Sequence, residues 1–132
     1  MFKLEHIDHI ALTVKDLERS SAWYREVLRL EQRHQGMWNG IPLLVGAGET
    51  CLALFPASTP TPLPPADHRT ISLRHVAVRT ARANFEQAQA ERAQRDIPFS
   101  FEDHEICHSI YFHDPDSYRI EITTYDIEQR EV

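Results

Sequence analysis

An α+β fold is predicted, built from two βαβββ modules that form a curved, incompletely closed sheet with helices outside. Three observations predict it. His9-Ile10-Ala11-Leu12 returns as His75-Val76-Ala77-Val78, Cys51-Leu52-Ala53-Leu54 returns as Arg119-Ile120-Glu121-Ile122, and a proline-rich stretch lies between the copies. An internal repeat governs the reading of the whole chain, because each copy is one unit of supersecondary structure.

The elements follow in order. From Leu4 to Val14 the side chains alternate, with Ile10, Leu12 and Val14 on one side and His9, Ala11 and Thr13 on the other. Period two marks a strand with one buried apolar face. Asp16 offers an N-cap, and Leu17, Trp23, Tyr24, Val27 and Leu28 make an apolar stripe to about Leu30. Gly36, Gly40, Pro42, Gly46 and Gly48 punctuate short strands around Glu31–Met37, Leu43–Val45 and Thr50–Phe55.

Pro56-Ala57-Ser58-Thr59-Pro60-Thr61-Pro62-Leu63-Pro64-Pro65 can form neither a helix nor a central strand. A proline-recognition motif would share this composition, but the position between the two copies favours a linker. The second copy repeats the order: a strand from Ile71 to Arg79, a helix from Ala81 to about Arg95, then strands at Ile97–Phe101, Ser109–His113 and Tyr118–Tyr125. Asp114-Pro115-Asp116-Ser117 reads as a turn. The expected organisation is one domain over residues 1–132, with module 1 at about 1–56, linker at about 57–70 and module 2 at about 71–132. A pseudo-twofold axis would relate the modules. Either half alone, at roughly 60 residues, would bury too little apolar surface to be secure.

Composition bounds the function. A formal charge of −6 disfavours nucleic acid and anionic membrane as partners. The longest apolar runs fall far short of a membrane span. Met1-Phe2-Lys3-Leu4-Glu5-His6 shows no secretory signal, so a cytoplasmic location is expected. Cys51 and Cys107 lack CxxC spacing and read as reduced thiols.

Of the 8 histidines, the repeat selects His9 and His75. The residues two positions on, Ala11 and Ala77, are small, so the histidine faces look toward a hollow. Glu121 sits on the matching last strand between Ile120 and Ile122, and burying a lone carboxylate there would be costly. A cation removes that cost. The alternative is a salt bridge from Glu121 to Arg119 or Arg79. Two imidazoles and a carboxylate suit a divalent metal with open coordination positions, and Ala53 stands where a fourth ligand would come.

These segments resemble the vicinal oxygen chelate superfamily, which includes glyoxalase I, extradiol dioxygenases, fosfomycin-resistance enzymes and bleomycin-binding proteins. The resemblance is carried by Ile7-Asp8-His9-Ile10-Ala11-Leu12-Thr13-Val14 and Leu73-Arg74-His75-Val76-Ala77-Val78. Its most specific part is Ser109-Ile110-Tyr111-Phe112-His113-Asp114-Pro115-Asp116-Ser117-Tyr118-Arg119-Ile120-Glu121-Ile122, with Ser117 in place of the usual glycine.

The resemblance implies a metal held between the modules by His9, His75 and Glu121, with Fe(II) favoured and Mn, Ni or Zn as alternatives. It implies a small-molecule substrate with adjacent oxygens and a homodimer. Tyr111 matches the active-site tyrosine of extradiol dioxygenases and of fosfomycin-modifying enzymes; otherwise it is a core aromatic. The acid/base histidine of the dioxygenases has no counterpart, since no histidine lies between His34 and His68. His104 and His108 are candidate substitutes, or else polar loop residues. Arg119 is expected to be structural or solvated.

The leading expectation is a metal-dependent dioxygenase or lyase, most like the single-domain extradiol-dioxygenase-like or glyoxalase members. The alternatives are a fosfomycin-type thiol transferase or hydrolase, for which Arg130 would be the substrate arginine, and a bleomycin-like binding protein without catalysis. For the last, Trp23, Trp38 and Tyr125 would supply the aromatic cleft.

Overall fold

The computed structural model describes residues 1–128. The chain divides into two compact units, Met1–Pro64 and Pro65–Val132. The fold is α+β, with one four-stranded mixed sheet and one main helix in each unit.

In the first unit, β1 (Ile10–Val14) leads into α1 (Leu17–Val27), then β2 (Glu31–Arg33), a 3-10 turn (Met37–Gly40), β3 (Leu43–Ala47) and β4 (Thr50–Pro56). The sheet order is β1-β4-β3-β2. β1 pairs parallel with β4, Leu12 opposite Leu54, and the other pairs are antiparallel. β1 is shorter than its alternation suggests: its pairing with β4 begins at Ile10 opposite Leu52, although β4 itself starts at Thr50. His9 therefore sits one residue before the strand.

Asp16 caps α1 by accepting a hydrogen bond from the Arg19 amide at 3.0 Å. The helix buries Ser20, Ser21, Tyr24 and Val27. Leu12, Val14, Val45, Leu52 and Leu54 complete this core. Asp16→Ala strands an amide of the first turn and is expected to lower stability by about 1 kcal/mol in urea unfolding. An unchanged midpoint would deny the cap its role.

Gly46 is the one position where the sheet demands glycine. A Cβ there would run into the Thr50 carbonyl oxygen and would lie 3.2 Å from the Arg33 guanidinium.

The second unit has β5 (Val76–Arg79), α2 (Arg82–Gln94), β6 (Ser100–Asp103), β7 (His108–His113) and β8 (Arg119–Thr124), in the sheet order β5-β8-β7-β6. β5 runs parallel to β8, and the rest is antiparallel. Its helix face is apolar: Ile110, Phe112, Ile120 and Ile122 are buried, with Phe85 of α2 fully covered. Arg92, also buried, places its guanidinium 4.9 Å from the Phe112 ring centre. Asp114 closes the β7–β8 turn by accepting from the amides of Asp116 and Tyr118 at 2.9 and 2.8 Å. Ser117, at φ 72°, takes up the left-handed conformation where glycine would be easier.

Among the described residues no helix is long and apolar enough to cross a membrane.

Candidate functional site

Strand parity puts Ala77, Glu121 and Tyr111 in one cross-strand row on the sheet face opposite α2: Ala77 lies opposite Glu121, and Glu121 opposite Tyr111. His75, one residue before β5, reaches the same row, with Nε2 2.9 Å from Glu121 Oε1. The other carboxylate oxygen, Oε2, accepts from the Ser109 hydroxyl at 2.7 Å. Ser109 is completely buried and lies 2.9 Å from Thr123 Oγ1. A carboxylate can only accept, so the Ser109 proton is committed to Glu121. This fixes the carboxylate plane and leaves Oε1 turned to His75. Neither Arg119 nor Arg79 forms an ion pair with Glu121.

Tyr111 adds a phenol beside this pair. The His75 and Tyr111 rings meet edge to face with centres 5.8 Å apart. The Tyr111 hydroxyl lies 2.9 Å from His104 Nε2, which in turn is 3.5 Å from Glu102 Oε2. Burial raises the Tyr111 pKa, and the charge and hydrogen bonding of Glu121 raise it further; Arg119 opposes them. The phenol is therefore a neutral proton donor at physiological pH. The Arg119 guanidinium carbon stands 4.2 Å from the Tyr111 ring centre. Arg119 shares the parity of Glu121 two residues on and so stands on this face of the sheet.

His108 is not brought to this group. It lies three residues from Tyr111 and so points to the opposite face of β7. There its Nδ1 meets the Arg82 guanidinium of α2 at 2.9 Å, and its Nε2 is 3.6 Å from Asp103. That environment fits a structural tie between sheet and helix. Arg130 lies outside the described residues.

The first unit holds His9 on the non-helix face of its sheet. His9 Nδ1 is 2.8 Å from Asp8 Oδ2. The hydrogen bond to His9 holds the Asp8 carboxyl below the usual range, with lesser help from the charges of His9, His6 and His34. A carboxylate on Nδ1 orients the ring and leaves Nε2 for another ligand. His9 borders a cavity of about 500 Å³ whose walls include Leu44, Ala53, Phe55, Met37 and Trp38. Cys51 also lines it; burial raises its pKa, which keeps it a thiol rather than a reactive thiolate. Trp38 and Asn39 adopt left-handed backbone angles, φ 53° and 55°, and Trp38 is half exposed.

Among the described residues no cluster of three or more His, Cys, Asp or Glu forms a ready metal cage. The second unit supplies a pair, His75 Nε2 and Glu121 Oε1, whose 2.9 Å separation is that of a hydrogen bond; an imidazole nitrogen and a carboxylate oxygen are also donor types that a divalent metal accepts. Ser109 and Asp8 were missed by sequence reasoning. Ser109 was legible as the residue two before Tyr111 on one strand face, while the Asp8 contact depends on a rotamer that no pattern encodes.

The sequence profile of the Glyoxalase/Bleomycin resistance protein/Dioxygenase superfamily matches residues 6–122. A glyoxalase/dioxygenase from Nostoc punctiforme is similar in structure, with a TM-score of 0.78 at 24% identity over 93% of this chain and 92% of that one. A lactoylglutathione lyase from Agrobacterium tumefaciens aligns with a TM-score of 0.66 at 20% identity, covering 92% and 94% of the two chains. The fosfomycin resistance protein FosX from Mesorhizobium loti gives 0.65 at 20% identity, covering 92% and 93%. At these identities the structural likeness is one of fold, whereas the profile covers most of the sequence. The chain belongs to the Glyoxalase/Bleomycin resistance protein/Dioxygenase superfamily.

Proposed function

We propose that this protein is a metal-dependent enzyme that holds a small substrate by two adjacent oxygens. His9, His75 and Glu121 are the metal ligands, and Tyr111, backed by His104, is the proton donor to a substrate oxygen. The observation that carries this reading is the convergence of His75 Nε2 and Glu121 Oε1 at 2.9 Å beside a phenol kept neutral by burial and by Glu121. Two histidines and one carboxylate on one side of a metal leave the opposite positions to substrate, an arrangement suited to Fe(II) and open to Mn, Ni or Zn. When bound, the metal supplies Lewis acidity and a template for orientation. Ala53 brings no fourth ligand, which favours a dioxygenase-like over a four-ligand glyoxalase-like chemistry. A cytoplasmic homodimer completes the proposal.

The test is elemental analysis of anaerobically purified protein reconstituted with Fe(II), Mn(II), Ni(II) and Zn(II), followed by oxygen uptake with a panel of catechols. About one metal per chain and uptake with a catechol are expected. Failure to retain any of the four metals would sink the site. It would also favour a second reading, a binding protein without catalysis, for which the exposed Met37 and Trp38 beside the first unit's cavity speak.

A further inference from the structure

We propose that Arg119 is an anion-recognition residue, so that the substrate carries an oxyanion, carboxylate or phosphonate, in addition to its chelating oxygens. This deepens the metal reading above and rests on it for the placement of those oxygens.

The argument starts from what the guanidinium does and does not touch. Its carbon lies over the Tyr111 ring, 4.2 Å from the ring centre. That contact consumes none of the five N–H donors of the guanidinium fork. No carboxylate or carbonyl among the described residues accepts from them. The nearby acids are engaged elsewhere: Glu121 with His75 and Ser109, Glu102 with His104. Arg79 makes a similar contact, its guanidinium carbon 4.4 Å from the Tyr125 ring centre, but it lies at the far end of β5 from His75; the others are committed differently where they are buried or paired. Arg33 donates to the Gly48 carbonyl at 2.7 Å, and Arg82 is shared among Glu86, Asp126 and His108. Arg119 is half-buried on β8, held in place by the ring and with its hydrogen-bonding edge uncommitted. That is a preorganised fork for a planar or tetrahedral oxyanion.

Position and charge give the fork its meaning. Arg119 and Glu121 share a face two residues apart, about 6–7 Å along the strand. A ligand chelated beside Glu121 and reaching along β8 meets Arg119. With a dication bound, Glu121 is the one carboxylate of the proposed triad, and Arg119 adds a further positive charge. An anionic substrate balances this excess; a neutral one does not.

Isothermal titration tests this with matched probes: 3,4-dihydroxybenzoate, its neutral amide, and 3,4-dihydroxyphenylphosphonate. Each is titrated into the full chain, Mn(II)-loaded and metal-free. The carboxylate is expected to bind about tenfold or more tighter than the amide, and the phosphonate ranking shows which oxyanion the fork prefers. Arg119→Met should bring the acid-to-amide ratio near one while amide affinity stays within about threefold; Arg119→Lys should restore part of the preference.

An amide bound as tightly as the acid by wild type, or no measurable binding of any probe in either form, overturns the proposal. So does an equal loss of both ligands in Arg119→Met, which would mark Arg119 as support for Tyr111 alone. Failure of the metal reading shows separately, as absent Mn(II) binding by wild type. The charge preference is then still read from the metal-free titrations.

Discussion

Glu121→Gln is expected to lower metal affinity by at least about 100-fold, so that the variant leaves a desalting column without stoichiometric metal. Disturbing a residue that only orients a ligand typically costs 10–100-fold, and removing the sole charged ligand of a triad should cost more. Two imidazoles and a neutral amide oxygen leave a dication uncompensated in a site where Glu121 is 8% exposed. The fold should not suffer. Gln keeps the shape of Glu, its oxygen can still accept from Ser109, and its amide can face His75 Nε2. The melting temperature of the metal-free variant should therefore stay close to that of metal-free wild type. Stoichiometric Mn(II) at wild-type affinity in Glu121→Gln would remove Glu121 from the ligand set.

The pairing of His75 with Glu121 was legible because two simple periodicities intersect. The repeat aligned His75 with His9, and alternation along the last strand put Glu121 on the face away from Ile120 and Ile122. The same alternation separates His108 from Tyr111, since three residues is an odd number of strand steps. His108 was nominated for nearness in sequence, a weaker criterion than parity. His104 is the converse case. It lies in the loop between β6 and β7, where no periodicity operates. The His104 amide donates to the Cys107 carbonyl at 2.9 Å, a turn that returns the histidine ring over Tyr111. Arg119, two residues before Glu121, is placed on the same face by the same alternation; its contact with the Tyr111 ring depends on a rotamer that the pattern does not encode. The early start expected for β1 and β5 failed for another reason. Apolar alternation continues upstream into Leu4 and Ile71, but pairing begins only at Ile10 and Val76, opposite Leu52 and Ile120, and where a ladder begins depends on a partner strand as well as on the local pattern.

Tyr111→Phe is expected to lower turnover of the substrate found in the catechol screen by about 10²–10⁴-fold, the range for loss of a positioned proton donor. Metal affinity should stay within a few-fold. The substitution deletes one oxygen and keeps the ring, so the stack under Arg119 and the edge contact with His75 survive, and any loss is attributable to the hydroxyl. His104→Ala should be milder, about tenfold, because it leaves the donor in place and removes only the imidazole 2.9 Å away. The pH dependence carries a sign. Burial and Glu121 push the Tyr111 pKa above its ordinary value of 10.0, so the phenol keeps its proton throughout the neutral and mildly alkaline range. Activity governed by Tyr111 can fall only above that value; an alkaline decline at lower pH belongs to another group and should persist in the small residual activity of the Phe variant. Wild-type turnover in Tyr111→Phe would reduce Tyr111 to a packing residue and leave the metal as the site's only chemical instrument.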